Sequence, residues 1–231
     1  MDQANITDRW REVLDQMAQA ARRAGRTPDC VRLLAVSKLH PAEDILTLFE
    51  AGQRMFGENY VQEAQTKMAI LPQDISWHFI GHLQTNKAKN VVGRFSLIHG
   101  VDSLKLAHSL HNHAEAQGVV QDVLMQVNLA AERQKSGIFE ADLPPLAEFL
   151  AVSTHLRWQG LMLMPPFFDD PRRARPYFVR LRELAGALRA DFGLALPELS
   201  MGMTGDFEAA IEEGATLVRI GTRIFGERGT I

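Results

Sequence analysis

The sequence has little of what would place a protein in a class at sight. One cysteine, Cys30, stands among 231 residues, so no disulfide can close within the chain and no cysteine cage can hold a metal. A lone thiol of this kind fits a reducing compartment. No apolar run is long enough to span a bilayer, since even the stretch from Leu161 to Phe168 is broken by Pro165 and Pro166. The opening residues, Met1-Asp2-Gln3-Ala4-Asn5, lack the basic start and apolar core of a signal peptide. Neither sign of charge dominates: 25 basic residues against 28 acidic ones give a net of −3, which offers no broad positive field to nucleic acid or anionic lipid. These absences point to a cytoplasmic protein. At 46% hydrophobic and 23% charged residues, the chain has the composition of one that buries a core.

What the sequence does have is alternation. Short β-like runs are separated throughout by longer amphipathic stretches. The runs are Arg32 to Lys38, Arg54 to Asn59, Ile75 to Gly81, Leu97 to Val101, Val123 to Asn128, Leu156 to Met164, Leu196 to Met201 and Leu217 to Gly221. The intervals are too long for hairpins and suit a helix each time. A further helix, Thr7 to Ala24, precedes the first run. Helix punctuation agrees: Pro41 and Gly52 bracket the apolar positions Ile45, Leu48 and Phe49, Ser103 and Gly118 bracket the fourth helix, and Asp206 and Gly214 bracket a short acidic one. Eight βα units in one uninterrupted chain predict a single α/β domain over residues 1–231, a closed (β/α)8 barrel of the TIM type. An open doubly wound sheet is the competing arrangement, disfavoured by the strand number and by the lack of a Gly-x-Gly-x-x-Gly turn after the first strand.

In such barrels the chemistry gathers at the C-terminal ends of the strands. Period-two alternation puts Lys38 on the face of Leu34 and Val36, and Arg219 on the face of Leu217, so both cations point inward at the barrel mouth. Desolvation there favours the neutral amine of a lysine, a nucleophile toward aldehydes, although a strand-end lysine can simply snorkel to water. Phosphate sites in these barrels are commonly built by the loops after strands seven and eight. Ser200, Gly202 and Thr204, the helix opening at Gly205-Asp206, and Gly221-Thr222 supply hydroxyls, unhindered backbone and N–H groups at that place, while each taken alone is an ordinary turn. An amine for an aldehyde beside a cradle for a phosphate fits one cofactor bearing both, pyridoxal 5'-phosphate (PLP). Arg219 then serves the pyridine nitrogen, and as a pure donor it leaves that nitrogen unprotonated.

At this point the sequence resembles the pyridoxal phosphate homeostasis proteins, whose fold is similar to the barrel domain of alanine racemase. The segments that carry the resemblance are Leu34-Ala35-Val36-Ser37-Lys38, Phe56-Gly57-Glu58-Asn59-Tyr60-Val61-Gln62-Glu63 and Trp77-His78-Phe79-Ile80-Gly81-His82-Leu83-Gln84. They continue with Gln126-Val127-Asn128, Leu199-Ser200-Met201-Gly202-Met203-Thr204-Gly205-Asp206 and Val218-Arg219-Ile220-Gly221-Thr222-Arg223-Ile224-Phe225-Gly226. The resemblance implies PLP covalently attached to Lys38, Arg219 at the ring nitrogen, Asn59 near the phenolic oxygen, and Ser200, Met201, Gly221 and Thr222 around the phosphate. It also implies a transient cofactor contact for Lys135, in Gln134-Lys135-Ser136-Gly137.

Other features read more plainly. His108, His111 and His113 do not converge with an acid or a sulfur and form a solvated helix face, and His78 and His82 are structural or cofactor-adjacent residues, so no metal site is expected. Arg172, Arg173 and Arg175 lack interleaved aromatics and read as a helix start or an anion contact. Met162, Met164, Met201 and Met203 fill volume. The resemblance implies a protein that stores and supplies PLP, with apo PLP-dependent enzymes as recipients, and the lack of an evident exposed apolar stripe points to a monomer. Only ten residues follow Gly221, which leaves no room for the C-terminal domain that racemases add and speaks against turnover. A PLP-dependent racemase or lyase using the barrel alone, with His82 or Lys135 as a second base, stays open, as does a barrel enzyme for an unrelated phosphorylated substrate.

Overall fold

The computed structural model describes residues 3–132 and 134–226. Eight parallel strands close into a barrel in sequence order, each pairing with the next and the last with the first. They are β1 (Arg32–Val36), β2 (Met55–Glu58), β3 (Ser76–Phe79), β4 (Leu97–Val101), β5 (Gln121–Val127), β6 (Leu156–Leu163), β7 (Glu198–Ser200) and β8 (Leu217–Ile220). Around them run α1 (Gln3–Arg23), α2 (Ala42–Glu50), α3 (Val61–Met68), α4 (Leu104–Gln117), α5 (Leu143–Val152), α6 (Arg175–Phe192), α7 (Phe207–Glu212) and α8 (Thr222–Phe225). The alternation in the sequence therefore reports a real barrel. Its strands stop one or two residues short of most predicted ends, because the backbone turns away where the functional side chains begin. One connection departs from the rule: between β3 and β4 the chain forms a 3-10 stretch, Thr85–Asn90, whose buried Ala88 and the following Val91 and Val92 seal that side of the barrel.

The strand pleat divides the core in two. Leu33, Ala35, Phe56, Trp77, Phe79, Ile98, Met125, Leu161 and Ile220 face outward into one continuous apolar layer beneath the helices. Leu34, Leu97, Leu124, Met162 and Leu217 face inward with Met55, Ile80 and Met164 and fill the barrel itself. Met201 lies in the outer layer and Met162 in the inner one. Ser103 caps α4 by accepting from the Leu106 N–H at 3.3 Å, and Gly118 ends that helix in the left-handed region, as the sequence predicts. Asp206 does not cap α7: its Oδ1 accepts from the Met203 N–H at 2.7 Å and tightens the preceding turn instead.

Helix α1 lies against α2, α7 and α8, over the seam where β1 meets β8. Polar bonds tie it down. Arg9 donates to the Ile224 carbonyl at 2.7 Å, Trp10 to Gln53 at 3.0 Å, and Arg23 pairs with both Glu208 and Glu212. Arg175 and Arg182 hold Glu213 from the other side, so α7 is clasped between α1 and α6. Arg172, by contrast, pairs among the described residues with its neighbour Asp170, and Arg173 stacks over Phe168.

One glycine is required by the sheet. Strand β6 bulges against β5 so that Val123 pairs with Trp158 and the next residue, Leu124, with Gly160. Gly160 sits at φ +148°, and a Cβ there would meet the Glu198 carbonyl oxygen at 2.0 Å. Gly160→Ala is expected to cost about 3 kcal/mol or more and to lower the thermal midpoint by roughly 6–12 °C. Calorimetry of the two chains checks this, and equal midpoints would mean the bulge can relax.

Candidate functional site

The C-terminal ends of the strands open into a cavity of ≈ 930 Å³. Val36 and Lys38 reach it from the end of β1, Asn59 from β2, Ile80 from β3, Met164 from β6, and Arg219, Gly221 and Thr222 from β8. Met203, Thr204, Gly205 and Asp206 line it after β7, and Lys135 with Gln134 and Ser136 after β5. The rim includes Pro165 to Asp169. Of the residues singled out in the sequence, the fold thus brings Lys38, Asn59, Lys135, Thr204, Arg219, Gly221 and Thr222 to one space. Ser200 and Met201 are not part of its lining. Ser200 is fully buried below the cavity floor, and Met201 faces outward beneath the helices. Gly202, at φ +94°, packs toward Ala210 and Phe207.

Lys38 follows β1 in a tight turn whose next residue, Leu39, is held at φ +62°. A brace from the second βα unit keeps that turn in place. The ammonium of Lys67 donates to the Ser37 carbonyl at 2.8 Å, to Glu58 at 2.7 Å and to Glu63 at 2.7 Å. Glu58 also accepts from the Ser37 hydroxyl at 2.7 Å, and Glu63 from the Leu39 N–H at 2.6 Å. Both neighbours of Lys38 are therefore hydrogen-bonded into one buried ion cluster. Burial pushes the Glu58 carboxyl up, against the pull of Lys67.

Arg219 is 3% exposed and donates to Ser200 Oγ at 2.7 Å and to the Leu163 carbonyl at 2.9 Å. Burial pushes it down to about 10, with Asp206 opposing, so it stays charged at neutral pH. Asp206 is itself pushed up by burial. Beneath Arg219 lie two buried imidazoles, His99 and His78, 3.0 Å apart. Desolvation lowers His78 to about 4 and holds His99 well below its ordinary value. His82 instead stands in the loop after β3 against Ser136, and Lys135 pairs with Glu132 and donates to the Pro165 carbonyl. His108 and His111 pack on Phe149 of α5, so that helix face is partly covered rather than solvated. No cluster of metal-ligating side chains occurs among the described residues, and no helix among them is long and apolar enough to cross a membrane.

Sequence reasoning passes over His99, Lys67 and Glu63. His99 was detectable, since it shares the inward parity of Leu97 in β4. Glu63 and Lys67 carry the i,i+4 spacing of a helical ion pair, but nothing in that spacing reveals that it is buried against Glu58.

A closed barrel with a lysine after the first strand and an arginine in the eighth, both at one cavity, defines a barrel of the alanine racemase class. Residues 10–229 match the family described as alanine racemase, N-terminal domain. The pyridoxal phosphate homeostasis protein of Aquifex aeolicus is 45% identical over 225 residues, covering 97% of this chain and 99% of that one. The structure of PipY from Synechococcus elongatus with PLP bound is similar at 40% identity and a TM-score of 0.81, covering 91% of this chain and all of that one. Alanine racemase from Corynebacterium glutamicum shares the fold at 16% identity and a TM-score of 0.69, with 61% of its chain covered. The chain belongs to the pyridoxal phosphate homeostasis protein family.

Two outcomes follow from the buried charges. His78 and His99 are neutral when folded but protonate near their ordinary value of 6.5 once unfolded, so the unfolded chain binds more protons as pH falls. Stability is then lost on acidification from 6.5 toward about 4, by roughly 1.4 kcal/mol per pH unit and imidazole. Urea unfolding at pH 7, 6 and 5 measures that slope. Lys67→Met strips the counter-charge from a fully buried carboxylate and should cost about 3–5 kcal/mol at pH 8. Because the folded variant then takes up a proton at Glu58 more readily than the unfolded chain, its deficit should shrink toward low pH. A pH-independent deficit would assign the loss to packing.

Proposed function

We propose that this chain binds PLP in the barrel-mouth cavity, covalently through Nζ of Lys38, and holds it for release without turning over a substrate of its own. The observation that carries the reading is convergence. A lysine amine, a buried guanidinium, two threonine hydroxyls and an amide share one cavity, and the buried Oδ1 of Asn59 has no hydrogen-bond partner among the described residues. A ring hydroxyl is a donor suited to that oxygen, a phosphate suits the turns at Thr204-Gly205 and Gly221-Thr222, and the three cations Lys38, Lys135 and Arg219 suit a dianionic ligand.

When bound, the cofactor supplies an aldehyde carbon that accepts an amine, and a ring that can delocalise charge. The chain's own groups do the rest. The Ser37–Glu58–Lys67–Glu63 brace presents Lys38 from a fixed turn. Arg219 can only donate, so a ring nitrogen facing it is left unprotonated and the ring is a weak electron sink. That weakness suits holding over catalysis. The name of the Aquifex aeolicus relative supports the same role, and so does the solution of PipY both with PLP and without it. Release to an apo PLP-dependent enzyme, by way of the loop that carries Lys135, completes the proposed cycle in a cytoplasmic monomer.

Protein incubated with PLP should turn yellow, and borohydride should fix one pyridoxyl group per chain on Lys38, read by peptide mass. Lys38→Ala should retain no reducible cofactor, and colourless wild-type protein would overturn the reading. Arg219→Glu should alter the absorption of the bound cofactor by allowing ring protonation. Amino acids offered to the loaded protein should not be racemised or cleaved. Turnover that disappears in Lys38→Ala would favour an enzyme.

A further inference from the structure

Below the cavity floor, polar side chains from four different strands make contact in single file. Arg219 Nη1 lies 2.7 Å from Ser200 Oγ, and Ser200 Oγ lies 3.0 Å from His99 Nδ1. His99 Nε2 lies 3.0 Å from His78 Nδ1, and His78 Nε2 lies 3.4 Å from Ser76 Oγ. The file runs from β8 through β7 and β4 to the first residue of β3, which is half-buried at the end of the barrel away from the cavity. It passes through an interior otherwise filled by Leu34, Leu97, Leu124, Met162 and Leu217. A hydroxyl and two imidazoles in such surroundings are costly unless each is paired.

The protons can be placed by counting. A guanidinium has donors and no acceptor, so Ser200 Oγ accepts from Arg219. The one hydrogen of the Ser200 hydroxyl is then left to give, and His99 Nδ1 is the acceptor at hand. His99 must therefore carry its proton on Nε2 and donate to His78 Nδ1, which in turn puts the His78 proton on Nε2, toward Ser76. The opposite sense makes Ser200 accept twice and leaves its own hydrogen without a recipient. Only this direction gives the Ser200 hydrogen and both imidazole hydrogens an acceptor within the file.

We infer that His78, His99 and Ser200 are positioning residues for Arg219, forming a one-way hydrogen-bond relay that fixes the plane of its guanidinium at the cavity floor, and that the Ser200 hydroxyl serves this arginine rather than a phosphate. The second half of this inference rests on the PLP reading above; the first half does not. The placement of Ser200 argues for it, because the residue is fully buried and does not line the cavity, whereas Thr204, Gly221 and Thr222 do. The Leu163 carbonyl holds the second guanidinium nitrogen at 2.9 Å, so relay and carbonyl together define the plane.

Imidazole NMR on the unliganded chain tests the relay directly. Both buried histidines should appear as neutral Nε2–H tautomers, and a neutral Nδ1–H form or a charged ring at either position would overturn it. The role of Ser200 is tested on loaded protein with PLP and with pyridoxal, which lacks the phosphate. Ser200→Ala should weaken both ligands by the same factor, to within about twofold, and shift the absorption of the bound cofactor, with Ser200→Thr restoring both. A loss of roughly ten- to a hundredfold for PLP with pyridoxal unaffected would make Ser200 a phosphate contact and sink that half. If wild-type protein takes up neither ligand, it is the cofactor reading that falls, and the tautomers still decide the relay.

Discussion

The charge of Arg219 inside a closed, largely apolar barrel is the constraint around which the rest of the interior is built. A guanidinium cannot shed its proton to escape burial as a lysine can, so it must be given acceptors. The barrel supplies a carbonyl at the end of β6, a hydroxyl on β7, and behind the hydroxyl two imidazoles that stay neutral. No carboxylate is in direct contact among the bonds described, and Asp206 acts only through space. A contacting carboxylate would satisfy the cation fully; neutral acceptors leave its positive field directed at whatever occupies the cavity.

Lys38 is treated in the opposite way. It stands outside the last paired residue of β1, and its position is set by what grips its neighbours. The Ser37 hydroxyl and carbonyl and the Leu39 N–H all bond to the Glu58–Lys67–Glu63 cluster, which lies between β2 and α3 on the outer side of the barrel wall. The turn that carries Lys38 is thus held through its backbone, and the guanidinium of Arg219 through its side chain. A nucleophile must move between partners, whereas a donor that sets ring electronics must not.

The barrel was legible because period-two runs separated by helix-length intervals admit few arrangements. The strand-end chemistry was legible because parity puts Lys38 with Leu34 and Arg219 with Leu217. The pairing of Ser200 escaped the sequence: its hydroxyl sits among turn residues suited to phosphate, and only the barrel's curvature shows that it points down to Arg219 and His99. Parity says inward or outward but not how deep. The ion cluster behind Lys38 escaped for a related reason, since it joins residues from β1, β2 and α3 that no local pattern links. The capping of α7 was misread because an aspartate before a helix can turn its carboxylate backward, and Asp206 does.

Strands β1 and β8 pair directly, with Leu34 opposite Arg219, and helix α1 lies over that seam. No other strand pair joins residues so far apart in the chain, and pairings of this kind are slow to form because the intervening loop must close first. The lysine and the arginine of the cavity lie on opposite sides of this seam. Seven strands assembled in order from β1 would present the lysine alone, with no arginine beside it to complete a pocket. A small molecule held by both would therefore be a latch across that edge of the barrel, tying its first strand to its last.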